Sequence, residues 1–524
     1  MASSKRTRAL AEALAEPVEG DWTKPMIEVT DEIPTIVDAL EAAILAFPER
    51  LLFQRGGRLV RLVRGAELPH GLRRPHDAPT IGQAPMGHLA EIASRVACWM
   101  KFDGRTQELK AMRPPRWAVE SFAERAEWHL PTLSGIIEAP ALRPDGTVLS
   151  EPGYDEATGL LLAVSPNEFP PVPTEPSREQ AYAALADLSE IFEDFPFVDE
   201  VDRSAALAAL LTLLGRPGIR GPVPMFLMRS PTAGTGKSLC ADACSVVATG
   251  RPAPRIPQAT SENEERKRLL AFGLEGDPTL LLDNVTRPLG NGALDAVLTA
   301  GEIKDRILGV SQTARTPWTA VMFATGNNLM VAADTGRRVI PIDLDAKVER
   351  PDERSRFTHS PLLEWLKKER PRLVVAGLTV LRAYLAAGAP KQHIPDFGSF
   401  ERWSDLIRGA LVWCGARDPA AGREKIRRDS DPTADALRVV LALWHERFGP
   451  HGQPVAMALK ALDEGDPLRE ALAALVPDWK GRGLQSQTIA YAFRKYRGRI
   501  AGGLRLEVVE ERQGTAVWGV KACT

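Results

Sequence analysis

The chain of 524 residues has no CxxC pair: its five cysteines, Cys98, Cys240, Cys244, Cys414 and Cys523, are scattered. Its eight histidines show no ligand spacing. Both absences argue against structural zinc and a disulfide framework and for a reducing compartment. Cys240 and Cys244, four residues apart, read as small core residues. Nowhere do about eighteen consecutive apolar residues occur, so no membrane-spanning helix is expected. The N-terminal MASSKRTRALAEALAEP is basic but has no long apolar core, and the protein reads as soluble and cytoplasmic. Neither sign of charge is in excess: the formal net charge is -2, so only local charge can speak for a nucleic-acid partner. Internal repeats and low-complexity tracts are absent too. What is there is material for several modules with ample buried core.

Residues 1–24 mix charge, alanine and proline without pattern and read as a mobile tail. An α+β module is expected over 25–165. Its IPTIVDALEAAILAF and ESFAERAEW stretches have helical spacing. LLFQRGGRLVRLV is two strand-type runs meeting at Gly56-Gly57, which supply the positive φ of a hairpin turn. The proline-rich segment 166–177 reads as a linker, since proline stiffens the chain and removes helix donors. REQAYAALADLSEIF and RSAALAALLTLL then lead as helices into a core module, 178–350. A helical region broken at Pro371 is expected over 351–430, and a last module over 431–524.

The core module holds SPTAGTGKSLCADACSVV, from Ser230 to Val247. The Walker A pattern asks for Gly, four residues, then Gly-Lys-Ser/Thr; Gly236-Lys237-Ser238 fits, and Pro231 stands where the first glycine belongs. A strand-type run precedes the loop and a helical pattern ending at Gly250 follows it. Thr232, Ala233, Gly234, Thr235, Gly236, Lys237, Ser238 and Leu239 therefore form the candidate nucleotide-binding segment. The glycines let backbone N–H groups wrap phosphates, Lys237 reaches the β/γ oxygens, and Ser238 can hold Mg²⁺. A glycine-rich strand-to-helix turn is the plain alternative. TLLLDNV ends a buried-type strand on Asp283, where a carboxylate would grip the Mg²⁺ hydration shell. WTAVMFATGNN is a strand ending on Asn327 and Asn328, either of which could orient the attacking water. GRRVIPIDLD places Arg337 and Arg338 before a further strand; a surface salt-bridging pair is the competing reading.

The order SPTAGTGKS, LLLDNV, FATGNN, GRRVIPIDL resembles the AAA+ ATPase core of superfamily III-type helicases, and phage or plasmid primase-helicases in particular. The resemblance is clearest over 178–350. It implies a P-loop α/β core, ATP with Mg²⁺, a homo-oligomeric ring, usually a hexamer, with ATP at subunit interfaces, and DNA in the pore. Carried over, Lys237 and Ser238 match Walker A, Asp283 matches Walker B, Asn327 the sensor, and Arg337 or Arg338 the finger from the neighbouring subunit. The chain departs from the family at Asn284, where a glutamate normally follows the aspartate: an amide cannot accept a proton. Glu264, flanked by Glu262 and Glu265, is the candidate base, with a solvated charged helix as the alternative.

GEIKDRILGVSQTARTPW is expected to form two strands joined near 310–313, as in the hairpin that lines the pore in related helicases. Lys304, Arg306 and Arg315 are its candidate phosphate contacts. Beyond 431, three helical stretches and the run LRLEVVEERQGTAVWGV fit a winged helix, with Ser486 as the expected cap of its last helix. From Lys480 to Arg505 the chain carries Lys480, Arg482, Arg494, Lys495, Arg497, Arg499 and Arg505 without one acid, the footprint of DNA binding or, alternatively, of a solvated or docking face. Two functions follow from the sequence: an ATP-driven DNA helicase or translocase of a mobile element, or a DNA-binding initiator that uses ATP only to assemble. The 25–165 module carries no close carboxylate pair or zinc motif for primer synthesis and is read as a collar or loading domain.

Overall fold

The computed structural model describes residues 23–64, 78–306, 313–430, 432–476, 484–512 and 514–523. The expected tail up to residue 22, the hairpin tip at 310–312, Lys480 and Arg482 lie outside them. The chain divides into two units, Met1–Arg423 and Glu424–Thr524. No helix among the described residues is long and apolar enough to cross a membrane.

The first unit opens with β1 (Met26–Glu28), α1 (Ile33–Ala46), β2 (Phe53–Arg55), β3 (Arg58–Val63), β4 (Thr80–Gln83), α2 (Met86–Val96), β5 (Cys98–Asp103), β6 (Glu108–Met112) and α3 (Arg116–Glu124). Two sheets result, β1-β5-β6 and β2-β3-β4. The β2–β3 turn is made by Gly56 and Gly57 at φ 57° and 73°, conformations that a side chain would resist. Five short strands follow: β7 (Gly135–Ile137), β8 (Ala141–Leu142), β9 (Val148–Leu149), β10 (Gly153–Asp155) and β11 (Leu160–Leu162). The proline-rich segment 166–177 is not a boundary between units. Phe169 and Val172 pack on the main core, and Arg382 donates to the Thr174 carbonyl. Aromatic and aliphatic side chains between the prolines give this segment something to bury.

Helices α4 (Arg178–Glu190) and α5 (Glu200–Gly215) begin at capping boxes on Ser177 and Asp199. The parallel sheet follows: β12 (Met225–Ser230), α6 (Lys237–Thr249), β13 (Arg255–Ile256), α7 (Glu262–Glu275), β14 (Thr279–Leu282), α8 (Gly292–Ala300), the hairpin β15 (Glu302–Arg306) and β16 (Thr313–Pro317), β17 (Val321–Asn327), α9 (Ala333–Gly336) and β18 (Val339–Asp343). Strand order is β13-β14-β17-β12-β18, all parallel. The central strands are buried along nearly their whole length, as their unbroken apolar runs require when helices cover both faces. Helix α10 (Leu362–Ala386) packs on α4 and α6 and runs through Pro371 without a break. The expected break fails because Arg370, buried beside it, is anchored on the Val247 and Ala248 carbonyls, while Lys367, whose carbonyl loses its helical donor, is exposed to water.

After a helix over Arg423–Ser430 that starts at the division, the second unit comprises α11 (Pro432–Phe448), β19 (Gln453–Pro454), α12 (Val455–Lys460), α13 (Pro467–Leu475), α14 (Ser486–Tyr496), β20 (Ile500–Ala501), β21 (Leu504–Arg512) and β22 (Thr515–Ala522). Its core is a cluster of Trp444, Phe493 and Trp518, with ring centroids 4.9 and 5.5 Å apart in edge-on pairs. Ser486 is the first residue of α14 rather than its cap: Gln485 holds the cap position, extended and without a side-chain bond.

Candidate nucleotide-binding site

In a parallel sheet, ligands gather at the carboxyl ends of the strands. Here β12 ends on Ser230 and turns through residues 231–236 into α6. Gly234 and Gly236 take φ of 77° and 92°, open to glycine and costly to other residues. A Cβ on Gly234 would also come within 3.0 Å of Asp352. These two glycines do the turning, and Pro231 needs no donor because Ser230 closes the start of the loop through its hydroxyl, which donates to the Thr232 carbonyl.

Lys237 points back into the loop. Its Nζ donates to Ser230 Oγ at 2.6 Å, the Thr232 carbonyl at 3.0 Å and Thr235 Oγ1 at 3.4 Å. Burial pushes its pKa below the usual lysine value, and the nearby Asp283 charge works against that shift. Ser238 Oγ donates to Asp283 Oδ1 at 2.7 Å, joining the start of α6 to the end of β14. A hydroxyl and a carboxylate oxygen at that spacing are hard donors of the kind that a water-bearing Mg²⁺ takes. The loop and these two residues fit a nucleotide phosphate with its metal.

Three partners fix Asp283, and the sequence pointed only to Ser238. Thr325 on β17 donates to the same Oδ1 at 2.7 Å, and its hydroxyl accepts from the Asn284 N–H at 2.9 Å. Arg255, opposite Leu281 in the sheet register, approaches Oδ2 at 3.2 Å through Nε and also bridges to Asp242 on α6. The Nε contact is a charge pair, its geometry being too poor for a hydrogen bond. Asp242 is held by Arg255 but buried, and burial raises its pKa. Arg255 belongs to no motif, and Thr325, though inside FATGNN, is not one of its expected site residues; strand register brings both to the aspartate.

Asn327 lies at the end of β17, directly opposite Ser230, so sensor position and loop are adjacent. Asn328 N–H donates to the Ser230 carbonyl at 3.1 Å. Asn284 sits at φ 54°, left-handed and exposed. The three glutamates lie in the first turn of α7. Glu264 is partly exposed and paired with Arg268 at 2.9 Å, and Glu262 pairs with Arg266 at 3.1 Å. Glu265 is buried, accepts from the Asn291 amide, and is pushed above the usual glutamate pKa by burial. Among the described residues no hydrogen bond or ion pair joins any of the three to Lys237, Ser238 or Asp283.

Arg337 and Arg338 are elsewhere. Met225 N–H donates to the Arg338 carbonyl at 3.1 Å, so Arg338 stands beside the start of β12. The loop lies at the other end of that strand, roughly 17 Å away at 3.3 Å per residue. Arg337 is exposed and pairs with Asp334. Arg338 is half-buried, 3.5 Å from Asp295, and its buried Nε has no hydrogen-bond partner among the described residues.

A cavity of about 570 Å³ adjoins the loop, a feature without a sequence motif. Ile191, Phe195, Pro196, Leu239, Phe357 and Leu362 give it apolar walls, and Gly234–Gly236 form one side. Glu190, Asp194, Asp352 and Arg354 supply polar groups at its rim. That volume and mixture suit a nucleoside attached to phosphates in the loop.

The candidate DNA contacts fall in two places. On the hairpin, Lys304 faces Arg315 across the strands and Arg306 faces Thr313. Arg315 is engaged by Glu302 at 2.7 and 2.8 Å, whereas Lys304 has no hydrogen bond or ion pair among the described residues. In the second unit Arg494, Lys495, Arg497 and Arg499 are exposed at the end of α14 and just beyond. The neighbouring hairpin β21–β22 carries Glu507, Glu510 and Glu511, with Glu507 held by Arg505 and by Lys521 at 3.0 Å. Exposed positive charge in this unit is therefore densest on α14 and its C-terminal turn.

No protein-family model matches the chain, and no curated protein matches it. Among solved structures, the C-terminal region of NrS-1 in an apo form is similar at 11% identity and TM-score 0.37, over 82% of this chain and 98% of that one. The SCCmec type IV Cch, described as an active helicase, is similar at 13% identity and TM-score 0.33, over 78% of this chain and 82% of that one. The JCV helicase is similar at 14% identity and TM-score 0.21, over 45% and 67%.

Proposed function

We propose that the chain is an ATP-driven DNA motor, a helicase or translocase that works as a ring in the replication of a phage, plasmid or other mobile element. The observation that carries the reading is the Ser238–Asp283 contact at the end of the glycine loop, with Lys237 beside it. In this reading the cavity beside Phe195 would take the adenosine, the loop N–H groups and Lys237 would hold the phosphates, and Ser238 and Asp283 would hold Mg²⁺. The metal supplies neutralisation of charge on the β and γ oxygens. Thr325 and Arg255 keep the Asp283 carboxylate aimed at the loop, and Asn327 positions water. Glu264 is the proposed acceptor of its proton, which requires the Arg268 pair to open. Arg338, or Arg337, acts on the nucleotide of the neighbouring subunit, since one strand length separates it from its own loop. Lys304, Arg306 and Arg315 face DNA in the pore, and the second unit binds duplex as a winged helix. Asn284, with Glu264 held by Arg268, favours a second reading in which ATP drives assembly on DNA without unwinding.

Mixing variants tests the motor. Lys237→Ala and Arg338→Ala are each expected to lack ATP turnover, because one removes the compensating ammonium and the other the charge supplied in trans. A trans-acting arginine is worth about 10³–10⁵ in rate in phosphoryl transfer. A mixture creates interfaces with both groups intact, so hydrolysis partly returns. If neither this mixture nor one with Arg337→Ala regains turnover while the variants still co-assemble with wild-type chain, no shared site exists. Unchanged turnover in Lys237→Ala alone removes the glycine loop as the site of hydrolysis and, with it, the motor reading built on it.

A further inference from the structure

A second cavity, of about 530 Å³, shares no residue with the one beside the loop. It is enclosed by the turn between β8 and β9, the segment 218–220 ahead of β12, the C-terminal end of α10, and residues 402–406. Arg220 lies five residues before β12 begins, so the cavity lies toward the opposite edge of the sheet from the nucleotide loop.

Four arginines line it: Arg143, Arg220, Arg382 and Arg402. Two are fixed by the fold. Arg143 is neutralised by Asp155 at 2.8 and 3.1 Å and donates to the Val148 carbonyl at 3.0 Å. Arg382 donates to the Gly146 and Thr174 carbonyls, which orient it and leave its full charge. Arg220 and Arg402 are exposed and have no hydrogen bond or ion pair among the described residues. Of the two acids in the lining, Asp145 is already occupied by the Thr147 N–H at 2.9 Å and hydroxyl at 2.7 Å. Asp405 is the other. Three guanidiniums without a carboxylate partner therefore converge on one groove.

Its cationic lining is arginine alone, with no lysine. A guanidinium offers a planar fork for phosphate oxygens and a flat face for a base, where an ammonium offers only a point charge. Leu142, Leu385, Ala386 and Leu406 give the same groove an apolar floor. A ligand matching both halves has a flat, weakly polar ring next to a phosphate. We propose that the groove of Arg143, Arg220, Arg382 and Arg402 binds a phosphorylated nucleoside, either free or as one residue of a single strand. Neither source depends on ATP turnover at the loop.

The test uses the full-length chain and the pairs Arg220→Glu/Arg402→Glu and Arg220→Gln/Arg402→Gln, the second guarding against misfolding by charge reversal. Probes are a labelled single-stranded oligothymidylate, a duplex of equal length, and thymidine 5′-monophosphate, which lacks the β and γ phosphates that Lys237 would meet. If the source is a strand, affinity for the oligothymidylate falls at least tenfold in both pairs while duplex affinity and DNA-free ATP turnover stay at wild-type levels. If it is a free nucleotide, wild type binds the monophosphate by calorimetry and both pairs lose that binding. Unchanged affinity for both the oligothymidylate and the monophosphate overturns the proposal. So does an equal loss for single strand and duplex, which means unspecific charge, or a change in assembly mass without a change in affinity, which makes the groove a protein contact. Failure of the motor reading appears separately, as Lys237→Ala that still turns over ATP.

Discussion

At the residue scale, Asn284 explains itself by conformation. The position after Asp283 has a φ of 54°, and asparagine tolerates the left-handed region because its short amide bonds locally. A glutamate there costs about 1 kcal/mol, in line with the roughly 1–2 kcal/mol of the left-handed conformation for ordinary residues. Asn284→Glu is therefore expected to lower stability by about that amount, while Asn284→Gly stays within a few tenths of wild type. Chemical denaturation followed by fluorescence measures both. A glutamate variant as stable as wild type would show that the backbone does not dictate the residue. That Lys237, Ser238 and Asp283 lie together was legible in the sequence because each sits at a fixed distance from a glycine or a strand end. Arg255 and Thr325 were not, since they meet Asp283 only through the pairing of β13 and β17 with β14, which no local spacing encodes.

At the scale of elements, α7 and α8 are locked by one polar pair. Asn291 caps α8, its Oδ1 accepting from Leu294 N–H at 3.0 Å, and donates its amide to buried Glu265. Burial is the main cause that raises the Glu265 pKa; the Asn291 hydrogen bond opposes it most, Arg268 and Arg287 oppose it less, and Glu262 adds to it. The folded value lies above the unfolded one, so this carboxyl contributes stability in full below the ordinary glutamate value. That contribution is lost as pH rises through the raised value. Glu265→Gln keeps an acceptor for Asn291 and removes the charge. Its thermal midpoint is expected to exceed that of wild type at neutral pH and to converge with it in acid. A constant offset across the pH range would mean that Glu265 titrates normally. Most helices were visible as periodic apolar patterns. Pro371 misleads because the tertiary anchors of Arg370 lie in another helix, and helix α2 is hard to see in the sequence for want of a strong cap: Pro85 holds the cap position without a side-chain bond.

For the whole molecule, the division at Arg423 and Glu424 predicts separable behaviour. A chain ending at Arg423 is expected to stay folded and to bind duplex DNA more weakly. Every phosphate that Arg494, Lys495, Arg497 or Arg499 neutralises adds about 0.9 to the steepness of log affinity against log salt, so the shortened chain has a flatter dependence. Binding measured between low and moderate salt gives that slope, and an unchanged one would assign these residues to a docking or solvated face. The proline-rich segment was the least legible feature at this scale. Its composition is that of a spacer, yet Phe169, Val172 and the arginines of α10 fasten it to the core.

The sheet itself carries a last consequence. Strand β12 begins beside Arg338 and ends in the glycine loop, so the arginine and the loop stand at opposite ends of one strand. If Arg338 serves a neighbour head to tail, the contact joins two different surface sites, and each copy gives at one and receives at the other. Such heterologous contacts either close on themselves as a cycle or continue as a filament. Every closed cycle contains as many complete sites as it has members, whereas an open chain always lacks one.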